Sequence, residues 1–191
     1  MSDPSLSTAR QAALRSVRGA VLRNLAIALV IVLAAFAPGL ARYGLRPFLG
    51  ALRIPHLPNP EPILAAPIAV QLHLATIAAA ILIGGVLMSG VKGGRLHRAF
   101  GWTWASLLAL TAASALFIHA PTGLPNIAGI GVLHLFSGVT LAAAPLGVRA
   151  AKRHDVARHA RIMSGLFIGG IGVAGLFAFM PGRLMWQVVF G

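Results

Sequence analysis

LAAPIAVQLHLATIAAAILIGGVLMSG, residues Leu64–Gly90, contains no Asp, Glu, Lys or Arg, and its first half carries one histidine, His73. A bilayer core takes roughly 20 apolar residues at about 1.5 Å each, so this stretch is long enough to cross. Lipid offers a polar ring no hydrogen-bonding partner. A histidine placed there is packed against protein or is holding something.

Four further apolar segments have the same character: Val21–Ala41, Ala99–Ala120, Ile127–Ala150 and Ala160–Met180. The prediction is therefore an all-α integral membrane protein with five transmembrane helices. The connections agree with it. Pro47, Pro55, Pro58, Pro60 and Pro62 resist helix and make residues 42–62 an extended interfacial loop. Lys92-Gly93-Gly94-Arg95 reads as a tight turn, Pro121–Asn126 as a short loop, and Pro181-Gly182 as a stop before an eleven-residue tail. Residues 1–20 are polar and basic, with Leu14, Val17 and Val21 at helical spacing suited to the membrane surface. The first apolar run resembles a signal sequence, but Pro38 after Ala35-Phe36-Ala37 disfavours cleavage, so it reads as an uncleaved first helix.

Composition narrows the function classes. Of 191 residues 58% are hydrophobic and only 10% charged, against about a quarter charged in soluble domains. A net charge of +13 raises the question of nucleic acid, but the basic residues lie in short runs between apolar stretches, without an aromatic-basic motif. They read as membrane flanks, and nucleic acid is not an expected partner; the lipid bilayer is. No cysteine is present, which excludes disulfides, thiolate-held clusters and covalently attached haem. The three acids, Asp3, Glu61 and Asp155, all lie outside the spans, which argues against an ion pump and against a carboxylate-based hydrolase.

The basic residues also predict orientation. Arg10, Arg15, Arg18, Arg23, Lys92, Arg95, Arg98, Arg149, Lys152, Arg153, Arg158 and Arg161 fall on one side; Arg42, Arg46, Arg53 and Arg183 fall on the other. This bias puts the N-terminus in the cytoplasm and the C-terminus outside. With that topology, His73 lies about nine residues inside the second helix and His134 about seven inside the fourth, roughly 10–14 Å below the outer boundary. His97 and His159 open the third and fifth helices on the cytoplasmic side. Two histidine pairs result, one per leaflet.

A b-type haem takes one imidazole on each face of its porphyrin, from two helices at matching depth. His73 with His134 fits that need, and His97 with His159 makes a weaker second site. Gly84 and Gly138, on about the same helix faces as the outer pair, would leave room for a macrocycle. Each feature has a plainer reading beside it. The outer pair also reads as a mutually hydrogen-bonded core pair, the inner pair as interfacial histidines among arginines, and the glycines as helix-packing points, as do Gly85, Gly165, Gly169, Gly172 and Gly175. His119 joins the outer cluster as an alternative ligand or an end-of-helix polar residue. A His73–His119–His134 zinc or copper site would lack an orienting carboxylate. His56 and His154 read as solvated loop residues.

Several stretches carry a family resemblance: Gln71-Leu72-His73-Leu74, Lys92–Trp104, Leu133-His134-Leu135, Arg158-His159-Ala160-Arg161-Ile162-Met163 and Leu176–Met185. From about Pro62 to Gly191 the chain resembles the bacterial membrane proteins known as domain of unknown function 2306. The resemblance is most specific at His97-Arg98-Ala99-Phe100-Gly101-Trp102 and Pro181-Gly182-Arg183. It implies a four-helix transmembrane core over residues 62–191, an added N-terminal unit over residues 1–61, and a place in a bacterial inner membrane. Relatives often carry histidine where this chain has Trp186, so that position is not implied as a ligand. The helix and histidine layout is also similar to transmembrane ascorbate-dependent b-type cytochromes, a likeness of fold only. Together these readings lead to a membrane b-type cytochrome carrying one or two haems b and passing electrons. The alternatives are an accessory subunit of a membrane complex with structural histidines, and a lipid- or quinone-handling enzyme.

Overall fold

The computed structural model describes residues 15, 18–30, 33, 55–118, 126–127, 130–180 and 183–191. His119, the second half of the first apolar segment, Arg42, Arg46, Arg53 and Pro181-Gly182 lie outside the described residues. In chain order come α1 (helical over residues 18–30), α2 (Glu61–Leu64), α3 (Ile68–Ser89) and α4 (Arg95–Ala115). The two-residue strands β1 (Asn126–Ile127) and β2 (Ile130–Gly131) pair antiparallel. α5 (Val132–Lys152), α6 (Val156–Ala178) and α7 (Leu184–Phe190) follow. The architecture is α-helical. α3 packs along α4, α4 along α5, α5 along α6, and the middle of α6 closes back onto α3. This ring puts α3 diagonal to α5 and α4 diagonal to α6.

Local chemistry sets the ends of the helices. Pro67 precedes α3 in an extended conformation and divides the predicted second helix into α2 and α3. At the other end Lys92 donates its ammonium hydrogens to the carbonyls of Met88 and Gly90, each at 2.7 Å, satisfying end-of-helix acceptors. Gly93, at φ +82°, then reverses the chain into α4, in the predicted turn. The fourth helix starts later than predicted, because Asn126–Ile127 and Ile130–Gly131 pair as a small ribbon rather than forming the first turns. The eleven-residue tail contains α7, and Val188 and Val189 accept backbone hydrogen bonds from Asn59 and His56. The His56 ring sits at that contact, 2.9 Å from the carbonyl oxygen of Gly191, so this loop histidine has a tertiary partner.

Trp104 lies at the centre of the bundle. Its indole Nε1–H donates to the Ala80 carbonyl at 2.9 Å, and its ring leans on Phe167 with centroids 6.4 Å apart. Ala80, Leu108, Ala144, Leu166 and Ile171 complete the core. Among the described residues the other buried polar ones are small hydroxyls (Thr76, Thr111, Ser114, Ser137, Thr140 and Ser164), the residue type that lets helices approach closely in an apolar medium.

α3 and α6 are long and apolar enough to cross a membrane. Only 17% of the apolar window of α3 and 22% of that of α6 is buried. A core helix of a water-soluble protein is largely covered by its neighbours, and these two are not. From Leu166 to Val173, α6 takes up π-helical geometry around Gly169 and Gly170.

Candidate functional site

The turn between α5 and α6 positions the first functional histidine. Asp155 N–H bonds to the Ala150 carbonyl and His154 N–H to the Ala151 carbonyl, a Schellman closure of α5. His154 takes the left-handed position, at φ 60°, where glycine is usual. Asp155 then caps α6, accepting from the backbone N–H of Arg158 at 3.0 Å. So short a reversal brings the first turn of α6 against the last turns of α5, and His159 Nδ1 comes 3.0 Å from the Gly147 carbonyl oxygen. A carbonyl only accepts, so Nδ1 carries a proton, and in the neutral ring the lone pair is on Nε2. A backbone carbonyl on the far nitrogen is the usual way of orienting a metal-binding imidazole.

His97, in the first turn of α4, meets this ring across the bundle diagonal. The ring centroids are 6.2 Å apart and the planes stand at 82°. The predicted inner pair is thus brought together in an edge-to-face ring contact between α4 and α6. Gly101, one turn further along α4, has open space where a Cβ would stand.

His73, on α3, donates from Nδ1 to the Thr111 carbonyl of α4 at 3.0 Å. The Ser114 hydroxyl donates to the same oxygen at 2.9 Å, while the Thr111 hydroxyl donates to Thr76 at 2.8 Å and the Thr76 hydroxyl to Leu72 O at 2.8 Å. His73 therefore belongs to a polar cluster that ties α3 to α4. His134 is half-buried in the first turn of α5. Helix starts at Ile68 and Val132 put His73 about 7.5 Å and His134 about 3 Å from their respective helix ends, both shallower than the sequence suggested.

The two glycines expected beside a macrocycle have other surroundings. A Cβ at Gly84 would come within 2.6 Å of Trp104 Nε1 and Phe167 Cε2, so protein side chains already fill the space it leaves. Gly138 is exposed, with no atom within 4 Å of a would-be Cβ. Among the other glycines, Gly165 faces Asn24 of α1, whose amide donates to the Ser164 hydroxyl at 2.7 Å and to the Arg161 carbonyl at 3.1 Å. Gly85, Gly169 and Gly175 meet nothing. Trp186 stacks on Phe190 within α7.

Positive charge predominates at this end, with Asp155 the acid beside it. Burial pushes the His97 imidazole below its ordinary 6.5, and the charges of His159 and Lys92 push the same way. With the folded value depressed, the unfolded chain binds the proton more readily. Stability is then full above about pH 6.5 and is lost as the pH falls below it. Thermal unfolding followed from about pH 7.5 to about pH 5.5 is expected to show a falling midpoint, flattened in His97→Asn. A profile of equal slope in that variant would remove His97 as the cause.

The residues missed from sequence are the backbone acceptors Thr111 O and Gly147 O, which no side-chain pattern announces, and Trp104, whose partner glycine lies on another helix. Among the described residues no three of His, Cys, Asp or Glu converge as a metal-binding group. No family model, curated protein or solved structure matches this chain.

Proposed function

We propose that the chain is a multi-pass b-type haem protein of a bacterial inner membrane, passing electrons within or across the bilayer, with its N-terminus in the cytoplasm. Membrane placement is supported by the exposed apolar surface of α3 and α6 and by the basic residues flanking the apolar segments. The haem reading rests on one observation above all: the His97 and His159 rings, from diagonal helices, stand 6.2 Å apart. The donor set fits, because bis-imidazole ligation needs only two neutral rings. Gly147 O fixes the tautomer of one of them, and Gly101 leaves room beside the other.

In this reading His97 and His159 hold the iron, and the bound haem supplies one-electron chemistry. The Gly147 carbonyl orients the His159 ring, with Nδ1 toward the backbone and Nε2 turned away from it. Lys92, Arg95 and Arg98 on one turn, with Arg149, Lys152 and Arg153 on the other, give this end the charge to meet carboxylates, whether haem propionates or an anionic electron donor. The weighting differs from the sequence expectation, which favoured His73 with His134.

Purified protein tests the proposal. A Soret band that sharpens and shifts on reduction, lost in both His97→Ala and His159→Ala, is the expected result. A colourless, fully folded preparation that takes up no added haem would overturn it. The reading as a non-catalytic accessory subunit draws its support from His73, whose hydrogen bonds account for that ring without any ligand.

A further inference from the structure

A cavity of about 310 Å³ opens between α5 and α6, at the lower end of the roughly 300–1,000 Å³ range of small-molecule sites. Phe136, Val139 and Thr140 of α5 form one wall, and the π-helical stretch of α6 forms the other. π-Turns are rare in helices and concentrate at functional sites. This one places Gly169 and Gly170 against the cavity, and a Cβ at Gly169 would meet nothing within 4 Å. The void therefore comes from missing side chains in a helix already distorted from α geometry.

Arg161 lines the cavity at the cytoplasmic end of α6 and is exposed there. Its backbone carbonyl is held by Asn24. No carboxylate is among the described lining residues, and Asp155, the acid nearest in sequence, is committed to capping α6. From Arg161 to Gly170 the groove runs about 13 Å along the helix, apolar except for the Thr140 hydroxyl. A cationic mouth over an apolar trough matches a molecule with an anionic head and a hydrocarbon tail.

We infer that this groove is a binding site for an anionic phospholipid, its phosphate at Arg161 and one acyl chain lying along Gly169 and Gly170. The inference rests on the membrane placement and not on the haem, so visible absorbance is unaffected by its success or failure. The rim charge selects the head group and the glycines admit the chain.

Delipidated protein in neutral detergent is titrated with phosphatidylglycerol, with phosphatidylcholine of the same chains, and with inorganic phosphate, while the unfolding midpoint is followed. Phosphatidylglycerol is expected to raise Tm more than phosphatidylcholine, and phosphate alone to leave it unchanged. Arg161→Gln should make the two lipids equivalent. Gly169→Leu, which fills the trough, should abolish the lipid-dependent increment, while Arg158→Gln, outside the lining, leaves it intact. Equal responses to the two lipids in the unaltered protein would overturn the site, as would a phosphatidylglycerol preference that survives Arg161→Gln. A response to phosphate alone would reduce it to an anion contact at Arg161. Should Gly169→Leu not fold, native mass spectrometry of Arg161→Gln decides: retained phosphatidylglycerol adducts count against the assignment.

Discussion

Gly84→Leu is expected to cost roughly 3–5 kcal/mol of stability, enough to prevent accumulation of a folded bundle. The first added carbon would lie 2.6 Å from Trp104 Nε1 and from Phe167 Cε2, so both rings would have to shift. Overpacking a filled core costs about 1–3 kcal/mol. Displacing the indole also breaks its 2.9 Å bond to the Ala80 carbonyl and strands a buried donor, adding about 1–3 kcal/mol. The adjacent residue supplies the control, because a Cβ at Gly85 meets nothing within 4 Å. Gly85→Leu should therefore fall within about 0.5 kcal/mol of the unaltered protein. Unfolding of both variants in detergent makes the comparison. Equal stabilities would mean that the α3–α4–α6 interlock is not where the packing energy lies.

The Gly84 contact bears on what an apolar sequence discloses. Apolar length and the absence of internal charge were enough to place α3, α4, α5 and α6 to within about five residues, although among the described residues only α3 and α6 are long and apolar enough to cross a membrane. The turn at Lys92–Arg95 was legible for a similarly local reason, since glycine permits the reversal and lysine reaches back to the helix end. The Gly84–Trp104–Phe167 contact was not legible. It joins three helices, and small residues occur throughout such spans, so Gly84 looks no different from Gly85 until the neighbours are in place. The same holds for depth. The ribbon of Asn126–Ile127 and Ile130–Gly131 displaced the start of α5 by several residues, and with it the level of His134. Pro67 did the same for α3. The pairing of His97 with His159 was anticipated from their common level, whereas the carbonyls that orient His73 and His159 belong to backbone and carry no signature of residue type.

His73→Ala is the second large effect, and it separates two roles that sequence alone left together. Removing the ring takes away the Nδ1–H bond to the Thr111 carbonyl and opens a void beside Thr76 and Ser114, at an expected cost of about 2–3 kcal/mol. His73→Asn keeps a donor near the position of Nδ1, so it should recover part of that loss. Neither variant is expected to alter the Soret band, because in this assignment the iron is held at the other end of the bundle. An axial ligand would behave in the opposite way: asparagine would not rescue it, and the colour would vanish from a protein that still folded. The two readouts are independent. Tm reports the α3–α4 tie, and absorbance reports the haem. A colourless but stable His73→Asn protein would move the iron to His73 and His134, and would leave His97 and His159 as a contact between two helix ends.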